Sequence, residues 1–144
     1  MEPPQNILVP VDLSDFSAKA VEYAAGVARL TGGTITLCTV INDVFPYFDF
    51  FPIDYATADY FPVMQTKADE AMHKLADRWA GDVEARIEIR RGYPATEIVD
   101  FARNEGYDLI VMATHGHTGL EHALLGSITE KVLRKAHCPV LVVR

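Results

Sequence analysis

Apolar and polar positions along this chain follow two alternating rhythms. Asn6–Asp12 ("NILVPVD") is a short, nearly unbroken apolar run, as expected of a strand covered on both faces. Behind it Ser14 or Asp15 can cap a helix. Ala20, Val21, Ala24, Val27 and Ala28 then recur at helical spacing until Gly32-Gly33 stops them. Thr34–Ile41 reads as a β-branched strand. Ala68, Ala71, Met72, Leu75, Ala76 and Trp79 form a second helical stripe that ends at Gly81. Val83–Arg91 alternates strictly, with Val83, Ala85, Ile87 and Ile89 set against Glu84, Arg86, Glu88 and Arg90. One face of that strand is wet, so it belongs at a sheet edge. Pro94 opens a third helix through Ala95, Ile98, Val99 and Ala102, stopped by Gly106. Asp108–Ala113 is apolar after its first residue, Ile128, Val132 and Ala136 mark a fourth helix, and Pro139–Arg144 is a last apolar strand.

The order βαβαβαβαβ predicts one α/β domain over 1–144, with a parallel sheet, helices on both faces and an aromatic insertion at about 43–62. Right-handed crossovers follow. Strands one and four are the most apolar and take the middle, while strand three takes an edge. The order 3-2-1-4-5 satisfies both. It reverses between strands one and four, and in such sheets ligands bind at that crevice, at the strands' carboxyl ends. Proline cannot donate to a ladder, so Pro10 is expected at the carboxyl end of strand one, where pairing stops.

That crevice receives Pro10, Val11 and Asp12 from strand one and Ala113, Thr114, His115 and Gly116 from strand four. The loop "ATHGHTGLEHALLGS" (Ala113–Ser127) has three glycines, one carboxylate (Glu121) and no lysine or arginine. It returns at Gly126-Ser127, which opens the last helix. A helix start offers unpaired N–H groups and partial positive charge, and glycines let a backbone approach phosphate oxygens. The loop therefore reads as a phosphate wrap. Ser127 carries two readings, compatible with each other: a capping box with Glu130, or a ligand contact. Neither a G-x-x-x-x-G-K-[ST] loop nor a G-x-G-x-x-G turn occurs. His115, His117 and His122 share the loop without the cysteine or carboxylate partners usual for zinc. Mg2+ shared with nucleotide phosphates fits better, since it usually takes one or two protein ligands besides phosphate oxygens.

A net charge of -7 argues against nucleic acid or an anionic membrane as partner, and requires any phosphate site to rely on local dipoles. No run reaches the ~18 apolar residues of a spanning helix, and the first residues lack the pattern of a signal peptide. Cys38 and Cys138 match neither a redox pair nor a zinc cluster and read as small buried thiols in strand-like runs. A cytoplasmic protein is expected. The last strand is apolar on both faces yet lies at an edge, which predicts a homodimer paired antiparallel through 139–144. Asp43–Phe61 holds eight aromatic rings and begins at the ligand end of the sheet. It reads as a lid or a protein-partner surface, or as a cap over the protein's own helices.

"ILVPVDLSDFS", the loop and the C-terminal segment "GSITEKVLRKAHCPVLVVR" together resemble the universal stress protein family over nearly the whole chain. ATP-binding members of that family carry G-x2-G-x9-G-[S/T]. The same register here reads Ala113, Gly116, nine residues, then Gly126-Ser127. The resemblance implies a flavodoxin-like, adenine-nucleotide-hydrolase-like fold and a homodimer. It implies adenine against Pro10, Val11 and Val40, Asp12 near the ribose or the metal-phosphate region, and phosphates on Gly116, Gly126, Ser127, Ile128 and Thr129. Ala113 stands where the family motif has its first glycine, and His117 where arginine or lysine is common. Three functional readings follow: an ATP-binding stress-type regulator, a dimeric interaction protein that takes no nucleotide, and a slow ATP hydrolase. The loop has no cation to neutralise a γ-phosphate, which places binding ahead of catalysis.

Overall fold

The structure is a computed structural model that describes residues 1–42, 61–115 and 125–144. Its elements run β1 (Asn6–Pro10), α1 (Asp15–Thr31), β2 (Thr34–Ile41), α2 (Phe61–Trp79), β3 (Ala85–Arg91), α3 (Pro94–Asn104), β4 (Leu109–Ala113), α4 (Ser127–Lys135) and β5 (Val140–Val143). The sheet order is β3-β2-β1-β4-β5 with every pair parallel, as the strand characters predicted. Phe61 and Pro62 open α2; the rest of the aromatic segment lies outside the described residues.

Alternation along the strands divides the interior into two layers. Ile7, Val9, Ile35, Leu37 and Val111 face α1 and α2, where they meet Ala20, Val21, Ala24, Ala28 and Met72. Leu8, Cys38, Val40, Ile110 and Met112 face α3 and α4, where they meet Ile98, Ala102 and Val132. Both faces of the central strands are covered, which is why β1 and β4 read as continuous apolar runs. α1 ends at Gly32, which takes the left-handed conformation (φ 73) and donates its N–H to Ala28 O. β5 is half-buried along its length, as an apolar edge should be. Cys138 departs from the strand expectation: it lies in the bend before β5 and is only partly buried. Among the described residues, no helix is long and apolar enough to cross a membrane.

The β1–β4 ladder is short. Only Ile7↔Leu109 and Leu8↔Ile110 pair, while β1 stays with β2 up to Pro10↔Cys38 and β4 stays with β5 up to Ala113↔Val143. Asn6 O accepts from Asp108 N and Gln5 O from Thr34 N, so even positions of β1 face β4 and odd ones face β2. Pro10 is even. It has no N–H for β4, so the ladder cannot continue there and the two strands part.

Leu37 is fully buried at the centre of the sheet, and its replacement by alanine should cost about 2–5 kcal/mol of stability. Leu30→Ala, at a position 90% exposed, should stay within ~0.5 kcal/mol. Urea unfolding of the two variants checks the contrast.

Candidate functional site

Where β1 and β4 part, a cavity of about 170 Å³ opens. Its lining includes Pro10, Val11, Asp12, Val40, Ala113, His115, Gly126, Ser127, Ile128 and Thr129. The sequence-derived site residues that are described are thus brought to one place, except Thr114, which is buried and does not line the cavity. Gly116 and His117 lie outside the described residues, as does His122. The sequence reading missed Ser17, Cys38, Thr39, Pro94, Ile98 and Met112, which complete the wall. Ile98 and Met112 looked like ordinary core positions in their stripes. Only the meeting of α3 with the ends of β2 and β4 turns them toward the cavity.

One side of the cavity is strand backbone. The last bond between β1 and β2 is Val11 N to Cys38 O at 2.8 Å. Gly92 N donates to Ile41 O on the β3 side, so alternation puts the N–H and C=O of Val40 on the side that β1 has already left. Around this peptide edge stand the apolar side chains of Val11, Val40, Ile98, Met112 and Ile128. A flat heteroaromatic ring with donors and acceptors on its rim suits such a slot.

The opposite side is the start of α4. Gly126 is its N-cap, and its N–H donates to Thr114 O at 2.7 Å. Glu130 N closes the first helical turn on Gly126 O at 2.9 Å. That leaves the N–H groups of Ser127, Ile128 and Thr129 as the ones the helix does not use. Gly126 has an ordinary φ of -67, so no positive dihedral requires glycine here. What requires it is the close approach, since a Cβ would stand 3.2 Å from Thr114 O.

Two side-chain roles differ from expectation. Ser127 is the first helical residue rather than the cap, and no side-chain cap bond forms. Glu130 instead pairs with Arg134 at 2.8 Å, so the capping box is not built. The Thr129 hydroxyl donates to Ala113 O at 3.0 Å, which ties the first turn of α4 to the tip of β4. Thr129 therefore offers an anion its backbone N–H, not its hydroxyl.

Asp12 is the one acidic residue among the described lining. Its Oδ1 accepts Ser14 N at 3.0 Å and the hydroxyls of Ser14 and Ser17, each at 2.5 Å. His115 Nδ1 lies 2.9 Å from Thr114 Oγ1, and its ring centroid is 6.0 Å from that of Phe16. No lysine or arginine lines the cavity among the described residues, so attraction for an anion comes from the α4 amides and the helix dipole.

The model of the universal stress protein family matches residues 4–144. A universal stress protein of Methanocaldococcus jannaschii is 38% identical over 143 residues, spanning 97% of this chain and 82% of that protein. The chain belongs to the universal stress protein family. The solved structure of a second M. jannaschii protein, described as hypothetical in a study assigning biochemical function from structure, superposes with a TM-score of 0.81 at 30% identity. That superposition covers 98% of this chain and 96% of the other. A universal stress protein from Archaeoglobus fulgidus, solved in complex with dAMP, has the same fold at a TM-score of 0.69 and 24% identity, covering 99% of each chain. The flavodoxin-like expectation thus holds across this family of structures.

Cys38 lines the cavity but is not a nucleophile in waiting. Burial, reinforced by the negative charge of Glu88, pushes its thiol up to about 12. At pH 8 it is then almost wholly in the unreactive thiol form, unlike a free thiol. In a titration with a chromogenic disulfide at pH 8, Cys138 should react first and Cys38 only after denaturation. Two fast-reacting thiols in the native protein would contradict this.

Proposed function

We propose that this chain is an ATP-binding regulatory protein of the universal stress type, holding the nucleotide where β1 and β4 part. The observation that carries the reading is one cavity that joins an apolar slot with an exposed peptide edge to three helix amides the fold does not use. In this reading the adenine lies against Pro10, Val11 and Val40, with the Val40 peptide reading its rim. The phosphates meet the amides of Ser127, Ile128 and Thr129, beside Ala113, His115 and Gly126, and the loop residues Gly116 and His117. The complex of the A. fulgidus protein with dAMP supports an adenine nucleotide as the class of ligand on this fold.

The residues present fit Mg2+ entering with the phosphates: Asp12 supplies a carboxylate at the wall, and Mg2+ usually takes one or two protein ligands besides phosphate oxygens. Bound there, the ion would neutralise phosphate charge. This chain's part is to hold the base, orient the phosphates on fixed amides and present one acidic ligand. The segment Ala113–Ser127 has no lysine or arginine to neutralise a transferring γ-phosphate, so binding rather than turnover is its task. The reading places the protein in the cytoplasm, with Cys38 and Cys138 as free thiols.

The same reading includes a homodimer through β5. Ile110 N donates to Pro139 O and Thr114 N to Val143 O, so odd positions of β5 serve β4. The peptide groups of Val140 and Val142 then point outward along an apolar edge, an open template for a second copy. Val142→Pro removes one outward donor and leaves the β4 ladder intact. Light scattering coupled to size exclusion should find two copies in the wild type and one in the variant, with unchanged circular dichroism. A wild-type monomer would refute this part of the reading.

For the nucleotide, protein purified without additions and then denatured should release adenine nucleotide. If none is carried, millimolar Mg-ATP should raise its melting temperature. Gly126→Val should weaken binding at least about tenfold, because its side chain crowds Thr114 O and the amides beside it. An empty protein with an unmoved melting temperature would favour a dimeric interaction protein without nucleotide. Multiple-turnover phosphate release would favour a slow hydrolase.

A further inference from the structure

We propose that Thr39 is a specificity-determining residue whose hydroxyl meets a ribose hydroxyl of the bound nucleotide. The inference rests on the nucleotide reading above and extends it to a side chain that neither the loop nor its motif includes. The buried polar residues among those described are Ser17, Thr36, Thr39, Thr114 and Thr129. All but Thr39 are bound within the protein. Ser17 donates to Asp12 Oδ1, Thr36 bonds to the Tyr107 hydroxyl, Thr114 pairs with His115 Nδ1 and Thr129 donates to Ala113 O. The Thr39 hydroxyl has no hydrogen-bond partner among the described residues.

Thr39 is only 6% exposed. Among the described residues, no side-chain oxygen sealed from solvent lacks a partner. The Thr39 hydroxyl is therefore not sealed, and the space it opens on is the cavity that Thr39 lines. Packing does not call for it. Valine has the same shape and suits a strand as well, and the residue opposite on β3 is Ile89. A hydroxyl held in the interior without a bond costs free energy until a ligand supplies the partner.

The lining shows which part of the ligand that is. Along β2, Ile35 and Leu37 face α1 and α2, while Cys38 and Val40 face α3 and α4. Strand alternation puts Thr39 with the first set, toward α1. On that side Asp12 and Ser17 also line the cavity, and they are polar. On the other side Val40, Ile98, Met112 and Ile128 are apolar. A nucleoside divides in the same way, into a flat base and a sugar that carries hydroxyls. The base suits the apolar side and the sugar the polar one. The Ser17 hydroxyl is already held by Asp12, so Thr39 brings the hydroxyl that the fold leaves for the sugar, able to donate or to accept. Such a site discriminates against a nucleotide without ribose hydroxyls, because that ligand leaves Thr39 unpaired.

The test is calorimetric titration of the full chain with Mg-ATP and with Mg-2',3'-dideoxy-ATP, for wild type, Thr39→Val and Thr39→Ser, together with thermal unfolding of each without nucleotide. Wild type should bind ATP about threefold to tenfold more tightly than the dideoxy analogue. Thr39→Val should bind the two alike, within about twofold of the wild-type affinity for the analogue, while Thr39→Ser keeps the preference. The melting temperature of Thr39→Val should be no lower than that of wild type, since no bond within the protein is lost. Thr39→Ala carries the same affinity comparison if Thr39→Val fails to fold. A wild type without the preference, or a Thr39→Val that retains it, overturns the proposal. So does an equal loss for both nucleotides, which a contact with base, phosphate or cation would produce, or a lower melting temperature in Thr39→Val, which a bond within the protein would produce. A wild type that binds neither nucleotide fails the nucleotide reading itself and takes this inference with it.

Discussion

A proline without an N–H decides the shape of this protein's cavity. β1 faces β4 through its even positions, and Pro10 is the even position at which the ladder would go on. With no donor there, pairing ends at Leu8 and Ile110 and the strands separate, although each continues alongside its other neighbour. Everything at the candidate site descends from that separation. Val40 presents a peptide edge because β1 is no longer beside it. Ala113 turns its carbonyl to Thr129 because β1 is not there to take it.

The second element is α4, held against the gap by two short links. Gly126 N binds Thr114 O, and the Thr129 hydroxyl binds Ala113 O. Both acceptors belong to the carboxyl end of β4, so the helix start is tied to the strand tip at two points. The amides of Ser127, Ile128 and Thr129 are thereby fixed in direction. A chain with net charge -7 cannot draw in a polyanion by its overall field. Oriented dipoles need no reorganisation when an anion arrives, and they act at short range, where the global charge matters least.

Much of this was legible without coordinates, and the reasons are specific. The strict alternation of Val83–Arg91 marks a strand with one wet face, and β3 is indeed an edge. The unbroken runs around Leu8 and Ile110 mark strands covered twice, and both are central. The reading of "SITE" as a capping box failed because local spacing cannot tell whether Glu130 will turn back to the helix start or forward to Arg134. The resemblance put Thr129 among the residues at the phosphates without saying which of its groups would serve. A strand carbonyl sixteen residues earlier in the chain takes the hydroxyl first.

The amino-acid sequence by itself determined the element order, the strand order, the end of strand pairing at Pro10, the apolar edge at β5, and the residues that converge on the crevice. These follow from periodicity and from backbone chemistry that a residue carries wherever it sits. Only the tertiary structure decided which donor meets which acceptor once they converge: Ser17 with Asp12, Thr129 with Ala113, Ile98 and Met112 at the cavity wall. Those pairings join positions on separate elements or across a turn. They depend on distances and directions that exist only after the strands have been laid side by side.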